Sequence, residues 1–325
     1  MRFLSIPALL LLVCCLFANA TAGPVADRVK ASALVHCGGV ARPGLAFPDT
    51  HGRWQGLEVD LCRAVAVAVS GARGRAVFHG YKTDKDFDAV RNGGDDIYFL
   101  TGTEIARHKL AGLVVPGPAV FFETRNLMVA AKFSAHHVGA LAADSICYKI
   151  GSPVEQDLNA YFARLGKHFL NRAFSEDGEM IDAYKTRNCH ALAAEITRLA
   201  AIRQGGAQTR TADRILPETL SAFPVIAATT TSDGNWSAIV AWTVDTLISA
   251  ERTPTLWTNS GPAAMPVFAP ELGLDKKWQD RVLKAVGNYG EILARNVGRN
   301  SPLKLPPGLN ANQVKGGLLL GPFCQ

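Results

Sequence analysis

The segment Gly56–Ser70 reads GLEVDLCRAVAVAVS. It begins as the end of a strand and turns into a helix with an apolar face, on which Leu57, Leu61, Val65 and Ala68 recur at intervals of three and four residues. Upstream, Ala33–Gly38 (ALVHCG) reads as a buried strand closed by a glycine turn. Downstream, Phe78–Tyr81 predicts a second strand, Asp84–Asn92 a helix stopped by Gly93-Gly94, and Ile97–Leu100 a third strand. Strand–helix–strand alternation with short glycine punctuation is the mark of an α/β architecture.

The alternation then restarts. Ser145–Ile150 predicts a strand, Gly151-Ser152-Pro153 a turn, Val154–Leu165 a helix, Gly178–Thr186 a further helix and Ala191–Ala194 a strand. Two successive α/β units predict two lobes, linked near Leu127–Lys132. Towards the C-terminus one long amphipathic helix is expected over Lys276–Arg295. The Pro- and Gly-rich stretch Ser301–Gln325 is expected to wrap a surface already built.

Composition agrees with a globular chain. At 325 residues there is room for two ordinary domains. Hydrophobic residues at 48% and charged residues at 19% exclude disorder. The 17 prolines and 30 glycines follow no period, which excludes collagen and low-complexity readings, and no solenoid repeat is present. The net charge of +6 comes from scattered residues with no basic run of four, so no nucleic-acid stripe or nucleic-acid partner is expected.

Met1 and Arg2 precede the apolar run Pro7–Phe17 (PALLLLVCCLF), and small residues from Ala18 to Ala22 offer cleavage after Ala20 or Ala22. This is the pattern of a secretory signal peptide. Val13 stands before Cys14, where a bacterial lipidation signal needs a small residue. No later stretch reaches the roughly 18 apolar residues of a spanning helix. The mature chain is therefore expected to be exported and soluble.

Export changes how the cysteines read. Cys37, Cys62, Cys147, Cys189 and Cys324 remain after cleavage. The first four allow three pairings, among them two local bridges, Cys37–Cys62 and Cys147–Cys189. Zinc is the competing reading, with His36 and His190 beside cysteines, although no CxxC pair is present. Cys324 is the odd thiol, read as an exposed free cysteine or a crosslinking site.

The segment Leu272–Gly298 (LGLDKKWQDRVLKAVGNYGEILARNVG), followed by Ser301-Pro302-Leu303-Lys304 and Gly308-Leu309-Asn310, is similar to a tail found in one family. That family is the periplasmic polar amino-acid binding proteins of ABC importers (the family 3 type), specifically the general L-amino-acid branch, with its "GLD…W…VGNYGEI(F)ERNVG…SPL…GLN…GG". Gly52–Val67 (GRWQGLEVDLCRAVAV) resembles the family's "GxWxGLDVDxCRAVAxA", and Ile146–Gly151 and Tyr184–Cys189 resemble further stretches. The resemblance covers nearly the whole mature chain.

It implies an α/β, two-lobed Venus-flytrap fold, with mixed sheets, helices on both faces and two chain crossovers. Residues 1–22 would be the signal peptide, 23–130 plus 228–325 lobe 1 with a C-terminal extension, and 131–227 lobe 2. The family's paired cysteines fall on Cys37 with Cys62 and on Cys147 with Cys189. The implied activity is capture of a small solute, an amino acid or related compound, in an interlobe cleft and its delivery to the membrane permease of an ABC importer. The implied protein is a periplasmic monomer without cofactor or metal.

Binding a free amino acid calls for a cation at the α-carboxylate and an acid at the α-ammonium. The family's arginine clamp falls on Arg107, in the stretch Leu100-Thr101-Gly102-Thr103-Glu104-Ile105-Ala106-Arg107, with Thr101 and Thr103 as further donors. The family's "NTTW" is not kept there. The alternative for Arg107 is an exposed helix-start arginine, of the kind Arg91 or Arg125 represents. The family's "GTT" anion turn is replaced by Gly151-Ser152-Pro153, in which Ser152 keeps a donor and Pro153 removes an N–H. An ordinary N-cap serine with proline after it explains the same residues. The ammonium partner, an Asp in the family's "CDVFTTD", is Glu195 here, which adds a methylene; a solvated helix-start acid is its alternative. Leu45 and Phe47 stand near the family's aromatic wall as candidate covers for the ligand, with core packing the alternative for Phe47. The framework thus matches better than the pocket, which reads as altered specificity.

Two other readings compete. A membrane sensor's flytrap partner needs the same scaffold, with or without a ligand. A dehydratase-like enzyme would need Glu195 with His190 or Glu104 as general acid and base. No GxSxG, HExxH, P-loop or dinucleotide motif accompanies it. His136-His137 is a lone pair on an expected loop, and Ser232–Trp236 reads as a surface turn feeding a helix.

Overall fold

A computed structural model describes residues 23–205, 213–252 and 269–321. The signal segment, its cleavage options and Cys324 lie outside the described residues.

The strands, in chain order, are β1 (Leu34–Val40), β2 (Phe47–Pro48), β3 (Trp54–Gln55), β4 (Arg75–Tyr81), β5 (Ile97–Thr101), β6 (Val114–Val115), β7 (Ala119–Val129), β8 (Ser145–Lys149), β9 (Leu170–Phe174), β10 (Ala191–Glu195), β11 (Arg214–Ile215) and β12 (Ser221–Thr230). All except the β2–β3 hairpin join one sheet, whose main path runs β4-β1-β5-β12-β7-β10-β8-β9. The pairs β4–β1, β1–β5, β10–β8 and β8–β9 are parallel, whereas β5–β12, β12–β7 and β7–β10 are antiparallel. Two parallel units are therefore joined through the antiparallel pair β7–β12.

Helix Leu57–Ser70 follows the expected periodicity and buries Leu57, Leu61, Val65 and Ala68 against β1 and β4. Its core cluster also takes in Trp236, Trp278 and Tyr289 from the C-terminal third of the chain, all fully buried. Separate clusters flank β8 and β10, one built on Leu158 and Phe162, the other on Tyr184 and Leu199. Strands β7 and β12 pass between these regions: Phe121 and Val225 belong to the first cluster, while Leu127 and Leu220 belong to the second. Cys37–Cys62 and Cys147–Cys189 are disulfides, with Cα atoms 6.3 and 5.8 Å apart, inside the usual span of a bridge. One ties β1 to helix Leu57–Ser70 and the other ties β8 to the turn before β10.

The long helix expected over Lys276–Arg295 is instead two, Trp278–Val286 and Tyr289–Asn296. Gly287 takes φ 77, which ends the first helix. Asn288 then opens the second: its side chain accepts the Glu291 N–H at 3.0 Å, and the Glu291 carboxylate accepts the Asn288 N–H at 2.9 Å. The break turns Tyr289 inward, and its hydroxyl donates to the Val120 carbonyl at 2.8 Å.

The tail beyond Ser301 does lie over a built surface. Leu303, Leu305 and Leu319 are buried in the first cluster. Asn310 caps the edge of β7, accepting the Phe122 N–H at 2.6 Å and donating to the Phe122 carbonyl at 2.9 Å. Ser232–Trp236 does more than turn: Asp233 accepts from the backbone at Val25, and Trp236 is fully buried with its Nε1 donating to Asp96 O at 2.8 Å.

Candidate functional site

The strongest concentration of buried charge lies where β1 and β5 end beside the middle of β7. A cavity of about 250 Å3 opens there, lined on one side by Arg42, Thr101, Thr103, Glu104 and Arg107, and on the other by Pro153, Glu195, Thr197, Arg198 and Phe223. Glu123 and Arg125 of β7 form part of its wall. Two larger hollows, of about 850 and 500 Å3, lie against the C-terminal tail and have more apolar linings. The smaller one is the candidate site because opposed charges converge on it, as recognition of a small polar solute demands.

Arg42 follows β1 and is the hub on one side. Its guanidinium meets Glu104 at 2.5 Å and Glu58 at 3.6 Å. Burial works against the charged guanidinium, but Glu104, Glu58 and Glu123 outweigh it and raise its pKa. Glu58, in the first turn of helix Leu57–Ser70, is fully buried, and neither of its carboxylate oxygens has a hydrogen-bond partner. Burial pushes its pKa up to about 8 against the pull of Arg42. Glu123 is also fully buried and pushed up to about 7 by burial, with the Thr197 hydroxyl donating to it at 2.9 Å and the Thr197 N–H at 3.2 Å pulling the other way.

Arg125 organises the opposite wall. Strand register sets it across from Ser221 of β12 on one side and Glu195 of β10 on the other. It donates to Asp157 at 2.8 Å and Ser221 at 3.1 Å, stands 3.6 Å from Glu195, and lies 4.3 Å over the Phe223 ring. The expectation that Arg125 is an exposed arginine is thus corrected. It sits in the middle of β7, within the buried polar run Glu123–Asn126, and is only 8% exposed.

The structure gathers Arg107, Thr101, Thr103 and Glu195 around the cavity. Arg107 closes helix Gly102–Arg107, rather than starting it, and forms no ion pair among the described residues. Thr101 spends its hydroxyl on capping that helix, accepting the Glu104 N–H at 3.2 Å, so Thr103 is the more available hydroxyl. Glu195 is the last residue of β10, with its side chain one-third exposed.

The other candidates fall elsewhere. Ser152 turns its hydroxyl back to the Lys149 carbonyl at 2.6 Å, so its neighbour Pro153 lines the cavity in its stead. Leu45 is fully buried core beneath helix Leu57–Ser70, its carbonyl accepting the Glu58 N–H at 2.9 Å. Phe47 pairs with Gln55 in the β2–β3 hairpin, away from the cavity lining. Leu45, as buried core, is corrected as a cover for a ligand, while Phe47 stands outside the lining of this cavity. His190 precedes β10, at the far end of that strand from Glu195, about 16 Å away at strand rise. It pairs with Asp144 at 2.7 Å and cannot share a proton with Glu195.

Arg42, Glu58, Glu123, Arg125 and Arg198 are charged residues in or beside the cavity whose place there sequence reading missed. A signal was present for two of them. In AVFFETRNLMV, Glu123 and Arg125 stand two apart in a polar run flanked by apolar residues on both sides, so both project from one face.

A two-unit α/β fold with a charge-lined cleft beside the strands that join the units defines a solute-binding protein of the periplasmic-binding-protein fold. The comparisons carry this further. The chain is 30% identical over 323 residues, covering 94% of both chains, to the general L-amino acid-binding periplasmic protein AapJ of Rhizobium johnstonii. It is 28% identical over 332 residues to the glutamate/glutamine/aspartate/asparagine-binding protein BztA of Rhodobacter capsulatus, covering 94% of this chain and 95% of the relative. Among solved structures, an ABC transporter periplasmic binding protein from Brucella ovis with glutathione bound superposes with a TM-score of 0.76 at 30% identity, covering 91% of this chain and 98% of that one. No family model matches.

The chain belongs to the family of periplasmic amino-acid-binding proteins of ABC transporters. Its relatives are binding proteins rather than enzymes, which sets aside the dehydratase reading, and the family's role is solute capture for a membrane transporter. No helix among the described residues is long and apolar enough to cross a membrane.

Proposed function

We propose that the cleft captures a free amino acid, or a solute with an amino-acid head group, through two opposed charges. Arg107 takes the α-carboxylate and Glu195 takes the α-ammonium, with Thr103 as an additional donor. The observation that carries this reading is the pairing of an unengaged guanidinium with a partly exposed carboxylate across one small cavity. Opposite charges at fixed spacing recognise a zwitterion and leave a monopolar solute with one unmatched partner. The relatives' printed ligands lend support, since glutathione too carries a free α-amino and α-carboxylate pair at its glutamyl end.

The accompanying proposals are a monomer with cleavage after Ala20 or Ala22, lobe 1 built from residues 23–130 and 228–325, and lobe 2 from residues 131–227. The test is a thermal-shift screen of the ligand-stripped chain against all L-amino acids and their des-amino analogues, followed by titration calorimetry. A shift with amino acids that Arg107→Ala abolishes is expected. Glu195→Gln should weaken amino acids far more than their des-amino analogues, and equal losses for both would remove Glu195 from the ammonium contact.

A further inference from the structure

Three metal-ligating side chains meet on the sheet at a distance from the cleft. His36 stands on β1, His79 on the edge strand β4, and Asp95 two residues before β5. One ligand atom from each lies within 4.8 Å of the other two. Register explains the meeting. Strands β1 and β4 are parallel, and His36 is paired with Val77, two residues before His79, so both imidazoles project from the same face. The rings stack with centroids 5.8 Å apart. The cleft begins at the other end of β1, four residues and about 13 Å beyond His36.

Asp95 is only 1% exposed, and no Lys or Arg among the described residues pairs with it. Its Oδ2 accepts the Tyr81 hydroxyl at 2.6 Å, and its Oδ1 lies 2.6 Å from His79 Nδ1. The adjacent Asp96, not Asp95, takes the guanidinium of Arg28. The buried carboxylate is thus left with an imidazole and a phenol as its side-chain partners, and the tyrosine fixes its orientation in the way outer-shell partners hold metal-bound carboxylates. The exposed side of the cluster is open, because the His79 side chain is half exposed.

We propose that His36, His79 and Asp95 form a site for a divalent transition metal of the Zn2+ type. Two imidazoles and one carboxylate, with a fourth position open to water, match the donor preference of that ion. Bonds of about 2.0–2.2 Å would bring the ligand atoms to about 3.4 Å apart. His79, half exposed on an edge strand, has the freedom to make that adjustment, with the metal taking the place of the proton it shares with Asp95. The ion would clamp β4 to β1 and to the turn before β5. This site is independent of the amino-acid cleft, and none of its residues lines that cavity.

The test uses the tag-free mature chain, stripped with a chelator and titrated with ZnCl2 alone by calorimetry. One saturable equivalent is expected, together with a rise in thermal stability on adding the metal. His79→Ala and His36→Ala should each raise the dissociation constant at least tenfold and abolish that rise. Both side chains are partly exposed, so the variants should fold, which an unchanged melting temperature of the metal-free proteins checks. Asp95→Asn is a supplementary variant, because its buried position risks the fold. The proposal is overturned if the wild-type chain takes up no Zn2+, if His79→Ala binds as the wild type does, or if a His136→Ala/His137→Ala variant is the one that loses the site.

Discussion

Glu58, beside Arg42 of the cleft wall, shows how far an individual buried residue departs from its ordinary behaviour. Its neighbour Arg42 is drawn closer to Glu104, so Glu58 is left with a distant partner and no hydrogen bond from the protein. Its pKa is about 8 in the fold against 4.5 when exposed. Between those values the unfolded chain has released the proton while the folded chain retains it, so stability falls as pH rises through that window. The contribution is fully present below about pH 4.5 and lost above about pH 8. Glu58→Gln removes the titration. The melting temperature of that variant relative to wild type should therefore climb between about pH 5 and about pH 8. Glu123 shifts the same way and is present in both proteins, so the difference reports Glu58 together with its coupling to Glu123. A difference that is flat with pH would mean that Glu58 ionises normally. None of this was legible from position 58 itself, where an acid in a first helical turn ordinarily reads as a solvated partner of the helix dipole. The burial comes from the close approach of β1: a Cβ placed on Gly39 would lie 3.2 Å from the Glu58 carboxylate.

Single elements were more readable than single residues, and where reading failed, two local rules were in conflict. The strands and helices that periodicity and glycine punctuation set around Gly56–Ser70 and Ser145–Glu195 stand close to where they were expected, although β9 (Leu170–Phe174) was not among them. The region 276–295 did not, because apolar periodicity continues straight through Gly287-Asn288, although that pair is itself a helix stop followed by a helix start. Asn288→Ala removes the acceptor for the Glu291 N–H and should cost about 1 kcal/mol, read as a lower urea midpoint at unchanged slope. No change would show that packing of Tyr289 alone holds the second helix. The disulfides act at the same scale. Cys147–Cys189 spans a sequence separation of 42 and binds β8 to the turn leading into β10, the strand that presents Glu195. Replacing both cysteines by serine frees the unfolded chain and should lower stability by about 4 kcal/mol on the loop-entropy model. A loss well under 1 kcal/mol would indicate an unfolded state that is already compact in this region.

At the scale of the whole molecule, the two α/β units are joined through β7 and β12, and that joint also forms part of the wall of the candidate cleft. Arg125 lies at the one register position where β7 faces both Ser221 and Glu195. Asn310 of the tail grips Phe122 three residues earlier, and Arg203 donates to the Leu303 carbonyl at 2.8 Å, so the tail touches both sides of the joint. Sequence placed the turnover at residues 130/131 and 227/228, near the strand ends. The side chains change cluster inside the strands, between Phe121 and Leu127 and between Leu220 and Val225. A strand that belongs to two cores keeps the same alternation throughout, so periodicity alone does not mark the crossing. Closure around a solute then has little to bend, because two antiparallel strands are a narrow connection between units that are each well packed. On the proposed reading, a bound amino acid would bring Arg107 and Glu195, which line one cavity, to one small molecule and select the closed arrangement. Small-angle scattering should accordingly show the radius of gyration fall on saturation with an amino acid, alongside a stabilisation of about 2.7 kcal/mol at a hundredfold excess over Kd. Arg107→Ala should show neither effect at the same ligand concentration. Stabilisation with an unchanged radius would mean that the ligand occupies the cleft without drawing the units together, and the two-charge clamp would then belong to one unit alone.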